Sequence, residues 1–167
     1  PKGPLSNSVF SMDALNNNIW FVYGGYNSAY VPIGNLKGFS HYNGSEWKNT
    51  VFTNAFPVYD LVNVTIDPNH DNRAFLSSYS DTNSGNILSG GGLFEVVDDK
   101  IINFYNSKNS PLEDLFPNDV NRITTRISGT IFDNQGNLWV TDAKATNKLK
   151  KFSSSGTWQV FDLRTLQ

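Results

Sequence analysis

Residues 127–161 decide the fold: they read ISGTIFDNQGNLWVTD over 127–142 and KLKKFSSSGTWQVF over 148–161. Short runs rich in β-branched and aromatic residues alternate here with turn residues, which is typical of strands joined by tight turns. Asp, Asn, Ser and Gly suit the turns, because Asx side chains bond their own backbone and Gly accepts a positive φ. The pattern predicts strands over 127–132, 137–141, 148–152 and 157–161. Four antiparallel strands joined in order form one blade of a β-propeller.

The same arrangement occurs twice more. Asp133 closes the first run of this stretch, and Asp13 and Asp67 are its counterparts, each followed by another apolar run. The spacing from Asp13 to Asp67 equals the spacing from Gly38 to Gly92, and it lies near the roughly 40–50 residues of known propeller repeats. The sequence therefore predicts an all-β protein, a partial β-propeller of about three four-stranded antiparallel blades. The predicted blades cover approximately 8–52, 61–105 and 127–162. A β-sandwich with similar strands is the alternative.

The composition favours strands and turns and excludes several functional classes. Charged residues make up 17% of the 167 residues and the net charge is −2, so no basic field favours nucleic acid as a partner. Cysteine is absent, which excludes a disulfide framework, a thiol nucleophile and a thiolate metal site. No apolar run approaches the roughly 20 residues that span a bilayer.

Three blades are fewer than the roughly 4–8 of a closed propeller. The chain begins at Pro1 rather than Met and shows no signal peptide, so we expect it to be a fragment of a longer protein. Open flanks would leave apolar faces and unpaired edges exposed. We therefore expect that further blades, or self-association with another chain, complete the ring.

Loop lengths give the strongest functional signal. The turns between the first and second strands and between the third and fourth strands of each blade are short. The long segments all fall at the opposite end of the blades, at 24–36, 53–60, 80–91 and 106–126. Binding residues often lie on such loops, although loops of this kind can simply cover the end of the ring. Three smaller expectations concern a loose lead-in over 1–7, a short helix beginning at Ser110, and a tail over 163–167.

Two sets of side chains are candidates for ligand binding. Tyr26, Tyr30 and Tyr79 lie in or beside the long loops and could stack on sugar rings, or pack against neighbouring loops instead.

The second set is basic. Lys144 and Lys148, together with Lys150 and Lys151, form a cluster that either solvates an outer strand or contacts an anionic ligand.

The usual signatures of catalysis and metal binding are absent. His41 lies on a predicted strand and His70 in a turn, with no neighbouring cluster of ligands, so both are expected to be structural. The DPNHD run at 67–71 looks superficially like a calcium loop, but it lacks the Gly at its sixth position and the Glu at its twelfth. Glu95, Glu113 and Asp114 have no feature that marks a catalytic pair. We expect no catalytic residue, no metal and no cofactor.

The order of motifs resembles two groups of propeller proteins. The run DNQGNLWVT at 133–141 is similar to the repeat of two-component regulator propellers, in which an Asp-x-x-Gly-Asn-x-Trp core recurs. The wider order resembles the PorZ-like components of the type IX secretion machinery of Bacteroidetes. In order, its motifs are NVTIDPN at 63–69, FLSSY at 75–79, GLFE at 92–95, FYN at 104–106, SPL at 110–112, GNLW at 136–139 and GTW at 156–158. The run IWFVYGG at 19–25 also looks like a Kelch blade, but its Gly-Gly pair is missing from the other two units.

The PorZ-like resemblance implies a non-enzymatic binding and assembly module in the periplasm or at the cell surface. Such proteins act with secretion-system proteins and bind anionic lipopolysaccharide. The two-component resemblance implies the alternative, an extracytoplasmic sensor propeller of a hybrid two-component system that binds a polysaccharide fragment. A C-terminal β-sandwich in the parent protein would indicate the secretion component, and a downstream transmembrane helix and kinase would indicate the sensor.

Overall fold

The computed structural model describes residues 3–51, 53, 58–81 and 91–166. This part of the chain contains twelve strands, followed by a 3₁₀ helix at Leu163–Leu166. The strands are β1 Ser11–Leu15, β2 Asn18–Val22, β3 Phe39–Tyr42, β4 Trp47–Thr50, β5 Leu61–Asp67, β6 His70–Ser78, β7 Gly92–Val97, β8 Lys100–Tyr105, β9 Ile127–Phe132, β10 Leu138–Asp142, β11 Leu149–Phe152 and β12 Trp158–Phe161. No helical segment among the described residues has the length and hydropathy needed to cross a membrane.

The strands form three four-stranded sheets, each built from consecutive strands in their order along the chain. Every pair of neighbouring strands is antiparallel. We call the sheets blade 1 (β1–β4), blade 2 (β5–β8) and blade 3 (β9–β12). The predicted all-β fold, a partial propeller of three four-stranded antiparallel blades, is confirmed.

Blade 2 lies between the other two blades and buries both of its faces. Successive residues of a strand point to opposite faces, so Leu76 packs with Trp20 of blade 1 while Phe75 packs with Phe152 of blade 3. Each core layer therefore fills the space between two blades. Burial of a large apolar side chain in such a layer contributes roughly 1.5–3 kcal/mol.

The first strands of neighbouring blades are joined by side chains that bond to backbone. Ile66 donates its N–H to Asp13 Oδ2 at 2.8 Å, which joins blades 1 and 2. Thr130 donates its N–H and its hydroxyl to Asn63 Oδ1, at 3.2 and 2.9 Å, which joins blades 2 and 3. Thr65 adds a bond from its hydroxyl to the Thr130 carbonyl at 2.9 Å. These bonds fix the position of each blade relative to the next.

A glycine permits a close approach of backbones at the junction of blades 1 and 2. Gly24 donates its N–H to the Leu61 carbonyl at 2.7 Å. A Cβ at this position would lie 2.2 Å from that carbonyl oxygen, so only glycine fits here.

Two sequence predictions about blade 1 are wrong. Asp13 does not close the first strand, because β1 continues to Leu15 and turns at Asn16 and Asn17. These residues have φ angles of 47° and 65°, the left-handed values that a two-residue hairpin of type I′ requires. The lead-in is not loose in its described part, since Leu5 donates its N–H to Ser40 Oγ at 3.0 Å.

The short helix expected at Ser110 is also absent, because residues 106–119 form turns, bends and irregular backbone. The Ser110 hydroxyl donates to the Asn106 carbonyl at 2.6 Å, so it is engaged with the preceding turn instead of capping a helix. The predicted tail is in part the 3₁₀ helix. Of the expected long loops, 54–57 and 82–90 lie outside the described residues.

The structure explains why an Asp-x-x-Gly-Asn-x-Trp sequence forms the β9–β10 turn. The Asp133 carboxylate accepts the Gln135 N–H at 3.0 Å, the Asn137 N–H at 2.9 Å and the Trp139 indole N–H at 2.8 Å. Gly136 supplies the left-handed φ of 75°. One carboxylate thus organises the whole turn.

The pKa of Asp133 should lie well below that of an ordinary aspartate. Hydrogen bonds, led by those from Asn137, lower its pKa from 3.8 to about 2. Because the folded pKa is lowered, these bonds stabilise the folded state fully above pH 3.8, and this contribution is lost as the pH falls through about 2. NMR titration of the Asp133 carboxyl carbon measures this pKa.

The Asp133→Asn variant provides the control, because it keeps the side-chain shape but cannot ionise. Its free energy of unfolding should vary less between about pH 4 and pH 2 than that of the native chain. A titration midpoint near the ordinary value for Asp would contradict the assignment.

Candidate functional site

Tyr26, Tyr30 and Tyr79 lie together at the end of the blades that carries the long loops. The Tyr26 ring centroid lies 5.4 Å from that of Tyr30 and 5.0 Å from that of Tyr79. Phe10 adds an edge contact to Tyr26 at 5.4 Å. We call these four residues the tyrosine patch. Tyr79 is buried at its base, while Tyr26 is 37% exposed and Tyr30 is 59% exposed.

A compact hairpin presents the two exposed rings. Tyr26 pairs with Pro32 in an isolated β-bridge. The Asn27 side chain accepts the N–H groups of Ala29 and Val31, at 2.9 and 3.0 Å. Tyr30 has a φ of 57°, a conformation that is uncommon for a residue other than glycine and that points to a constraint. The hairpin therefore holds the Tyr30 ring outward without a flexible loop.

Asp60 ties this hairpin segment to blade 2. Its carboxylate accepts the N–H groups of Gly34 and Asn35, at 2.8 and 2.9 Å. Its carbonyl accepts the Tyr79 N–H at 2.9 Å. Burial raises the pKa of Asp60, and the N–H bonds offset only part of this effect. One residue thus positions both the exposed and the buried parts of the patch.

An arginine pair lies on the other side of Tyr79. The Arg126 guanidinium carbon is 5.2 Å from the Tyr79 ring centroid. Arg122 binds both oxygens of Asp81, at 2.7 and 2.5 Å, and its guanidinium carbon lies 3.8 Å from the Phe116 ring centroid. Arg126 therefore brings a positive charge to the border of the patch.

The structure does not bring Lys144 and Lys148 into the tyrosine patch. Lys144 lines a cleft of about 510 Å³ beside the 106–126 connection, where Glu113 and Asp114 are also found. Lys148 is exposed just before β11. The basic cluster is also divided, because Lys150 is buried and Lys151 lies 5.6 Å from the Trp139 ring centroid. A ligand role for Lys144 and Lys148 stays a prediction.

Lys150 is the centre of an internal ion network. Its Nζ atom lies 2.8 Å from Asp142 Oδ2, 3.4 Å from Glu113 Oε1 and 2.5 Å from the Asn147 carbonyl. Burial opposes ionisation of Glu113, but N–H bonds from Asn147 and Thr146 outweigh it and lower the pKa of Glu113. This network attaches the long connection to blade 3, so it serves the fold.

The Lys150→Met variant should lose roughly 3–5 kcal/mol of unfolding free energy, because it leaves the buried Asp142 carboxylate without its ionic partner. Urea denaturation measures the loss. The matched control is Lys148→Met, which removes an exposed lysine two residues away and should stay within about 0.5 kcal/mol of the native chain. Equal effects of the two substitutions would contradict the network.

The histidines and the remaining acidic candidates have structural partners. His41 stacks on Trp20, and its ring nitrogens lie 2.8 Å from Asp99 and 2.9 Å from Asn18. The exposed His70 lies 3.2 Å from Asp67, as expected for a turn.

Glu95 accepts bonds from Arg73 and Tyr105, and burial together with this carboxylate raises the pKa of Tyr105 to about 12. Asp114 accepts the N–H of Phe116. Within the described ranges, no group of three or more His, Asp or Glu could hold a metal ion.

A second cleft, of about 450 Å³, lies where the first strands of the three blades end in their short turns. Asp13, Thr65 and Asp133 line it. All three side chains already bond to the backbone or to neighbouring side chains. These three side chains are therefore already engaged within the fold.

The chain was compared with family models, curated proteins and solved structures. No family model matches the chain, and no curated protein matches it in sequence. Among solved structures, it is similar to PorZ, described as an essential bacterial surface component of the type IX secretion system of Porphyromonas gingivalis. The chain resembles PorZ in fold. The TM-score is 0.75 with 21% sequence identity, over 96% of this chain and 20% of the PorZ chain.

The sequence indicates the three tyrosines as candidates, but it does not indicate the groups that the structure places around them. Phe10 precedes β1 and gave no sign of lying near the Tyr26 loop. Arg122 and Arg126 stand in the 106–126 connection, for which the sequence predicts a long loop and a short helix beginning at Ser110. No sequence pattern around Arg126 indicates that its side chain is buried.

Proposed function

We propose that this chain is part of a non-catalytic binding and assembly module of the type IX secretion machinery, and that the tyrosine patch contacts its ligand. The likeness to PorZ supports the association with secretion and an extracytoplasmic location at the cell surface. Because the chain spans only 20% of PorZ, the proposal concerns a segment of such a component. The observation that carries the ligand site is the convergence of Tyr26, Tyr30 and Tyr79 from two blades.

The ligand proposed for the patch is a saccharide, carried either by anionic lipopolysaccharide or by a soluble polysaccharide. A tyrosine ring combines an apolar face with a polar hydroxyl, as a sugar ring combines C–H faces with hydroxyls. The hairpin around Asn27 already fixes Tyr26 and Tyr30, so binding would require little further ordering. A rigid aromatic surface of this kind gains contact area at small entropic cost.

Further blades would complete the ring, either from the same protein or from a second copy. The three blades have equivalent cross-strand pairs between their first and second strands. These pairs are Asp13–Trp20 in blade 1, Thr65–Phe75 in blade 2 and Ile131–Trp139 in blade 3. The first two pairs face a following blade, and Trp20 and Phe75 are fully buried there. Ile131 is 67% exposed, so this face presents an apolar surface that a further blade would cover.

The Tyr30→Asn variant should bind the saccharide about 3- to 10-fold more weakly, since one aromatic contact contributes roughly 0.5–1.5 kcal/mol. Asn tolerates the left-handed φ at this position, so the hairpin should survive. Binding is measured by surface plasmon resonance on lipopolysaccharide from a type IX-secreting bacterium, with its soluble polysaccharide as competitor.

Val120→Asn is the matched control, because it removes another exposed apolar side chain from a different segment and should leave binding unchanged. Saturable lipopolysaccharide binding that soluble fragments do not displace would support the secretion role. Binding of a defined oligosaccharide without lipopolysaccharide binding would overturn that role and favour the sensor alternative. Equal losses in Tyr30→Asn and Val120→Asn would overturn the assignment of the patch.

A further inference from the structure

Arg126 is a buried cation with few bonds. It is 6% exposed, and its Nε atom has no hydrogen-bond partner among the residues that the structure describes. Its one ion pair among the described residues is a long contact from Nη2 to Asp81 Oδ2, at 3.4 Å. A guanidinium carries five N–H donors, and buried charges in proteins are normally paired and hydrogen-bonded. The bonding capacity of Arg126 is therefore largely unused.

The neighbouring groups do not supply the hydrogen-bond acceptors that the Arg126 guanidinium lacks. Arg122 occupies both oxygens of Asp81, and Asp119 and Asp114 further stabilise its charge. The Tyr79 ring attracts the Arg126 cation through its face, but a ring face does not replace an in-plane acceptor for Nε–H. The Asp81 carboxylate thus makes two short bonds to Arg122 and only one long contact to Arg126.

The backbone holds Arg126 in place at the junction of blades 2 and 3. Arg126 pairs with Tyr79 in an isolated β-bridge, and its carbonyl accepts the Ala143 N–H at 2.7 Å. The Tyr79 ring contacts both Arg126 and Tyr26. The free Nε–H therefore lies at the border of the tyrosine patch, on a rigid part of the fold.

We propose that Arg126 anchors an oxyanion-binding site that accepts one carboxylate or phosphate group of a ligand. The Nε and Nη2 edge of a guanidinium matches the two oxygens of such a group. The incoming oxyanion bonds to Nε–H and Nη2–H, and it replaces the long contact to Asp81, which stays with Arg122. This site goes beyond the proposed saccharide contact, because it depends on Arg126 and not on the exposed tyrosines.

The test uses NMR detection of the arginine Nε–H groups during titration of the native protein. The probes are inorganic phosphate, glucuronate and neutral glucose. We expect a saturable shift of the Arg126 Nε–H signal with phosphate or glucuronate, and none with glucose. A response to glucuronate alone assigns the site to a carboxylate, and a response to phosphate alone assigns it to a phosphate group. The absence of a saturable shift with both anions would overturn the proposal.

Two variants sharpen the result. Arg126→Lys keeps the charge but removes the two-pronged edge, so anion binding should weaken at least about 10-fold. Arg164→Lys is the control, because Arg164 is exposed and already paired with Asp162 at 2.8 Å, and it should leave binding unchanged. Equal affinity of Arg126→Lys and the native protein would contradict the site. If Arg126→Lys fails to fold, the native Nε–H titration decides alone.

The Tyr30→Asn variant separates this site from the saccharide contact. It should bind inorganic phosphate, which has no sugar ring, as the native protein does, even where its saccharide binding is weakened. Loss of phosphate binding in Tyr30→Asn would contradict an oxyanion site that depends on Arg126.

Discussion

The hydrogen bonds between the first strands of neighbouring blades are the constraint on which the rest of this structure depends. Asp13 accepts the Ile66 N–H, and Asn63 accepts the Thr130 N–H. Each bond contributes about 1 kcal/mol net, but an unpaired buried N–H would cost more. By fixing the separation of the blades, the bonds allow the aromatic core layers to fill the space between them. They also set how closely the loop of blade 1 approaches Tyr79 of blade 2.

Much of the fold could be predicted from the sequence, because strands and turns are encoded locally. The bounds of β7, β8 and β9 follow directly from apolar runs that end at Asp, Asn or Gly. The end of β1 and the conformation at Ser110 were predicted wrongly, because in each case the local sequence is compatible with more than one structure. A pair of asparagines can turn a hairpin in the left-handed region, and this moved the end of β1 beyond Asp13. A serine hydroxyl can bond forward as a helix cap or back to a carbonyl, and Ser110 does the latter.

The candidate site was predictable in part, for a similar reason. Long loops at one end of the blades indicated Tyr26 and Tyr30, and the structure places these rings beside Tyr79. Strand alternation puts Lys150 on the same inward face as Phe152, so its burial was available from the sequence, although its acidic partners were not. No local sequence pattern predicts the few bonds of Arg126. They result from the bonds between Arg122 and Asp81, which leave little of this carboxylate for Arg126. Residues far apart in the chain decide such pairings.

The geometry thus connects blade packing to the proposed function: one junction carries the exposed tyrosines, and the next carries the under-bonded arginine. The most direct test of this account is native-state amide hydrogen exchange at Ile66 and Thr130. If the inter-blade bonds hold the blades together, both amides should be as well protected as the ladder amides of β6 and β7, and should open only with global unfolding. Exchange at the rate of exposed loops, with the ladders still protected, would show that the blades are not held by these bonds and would contradict the account.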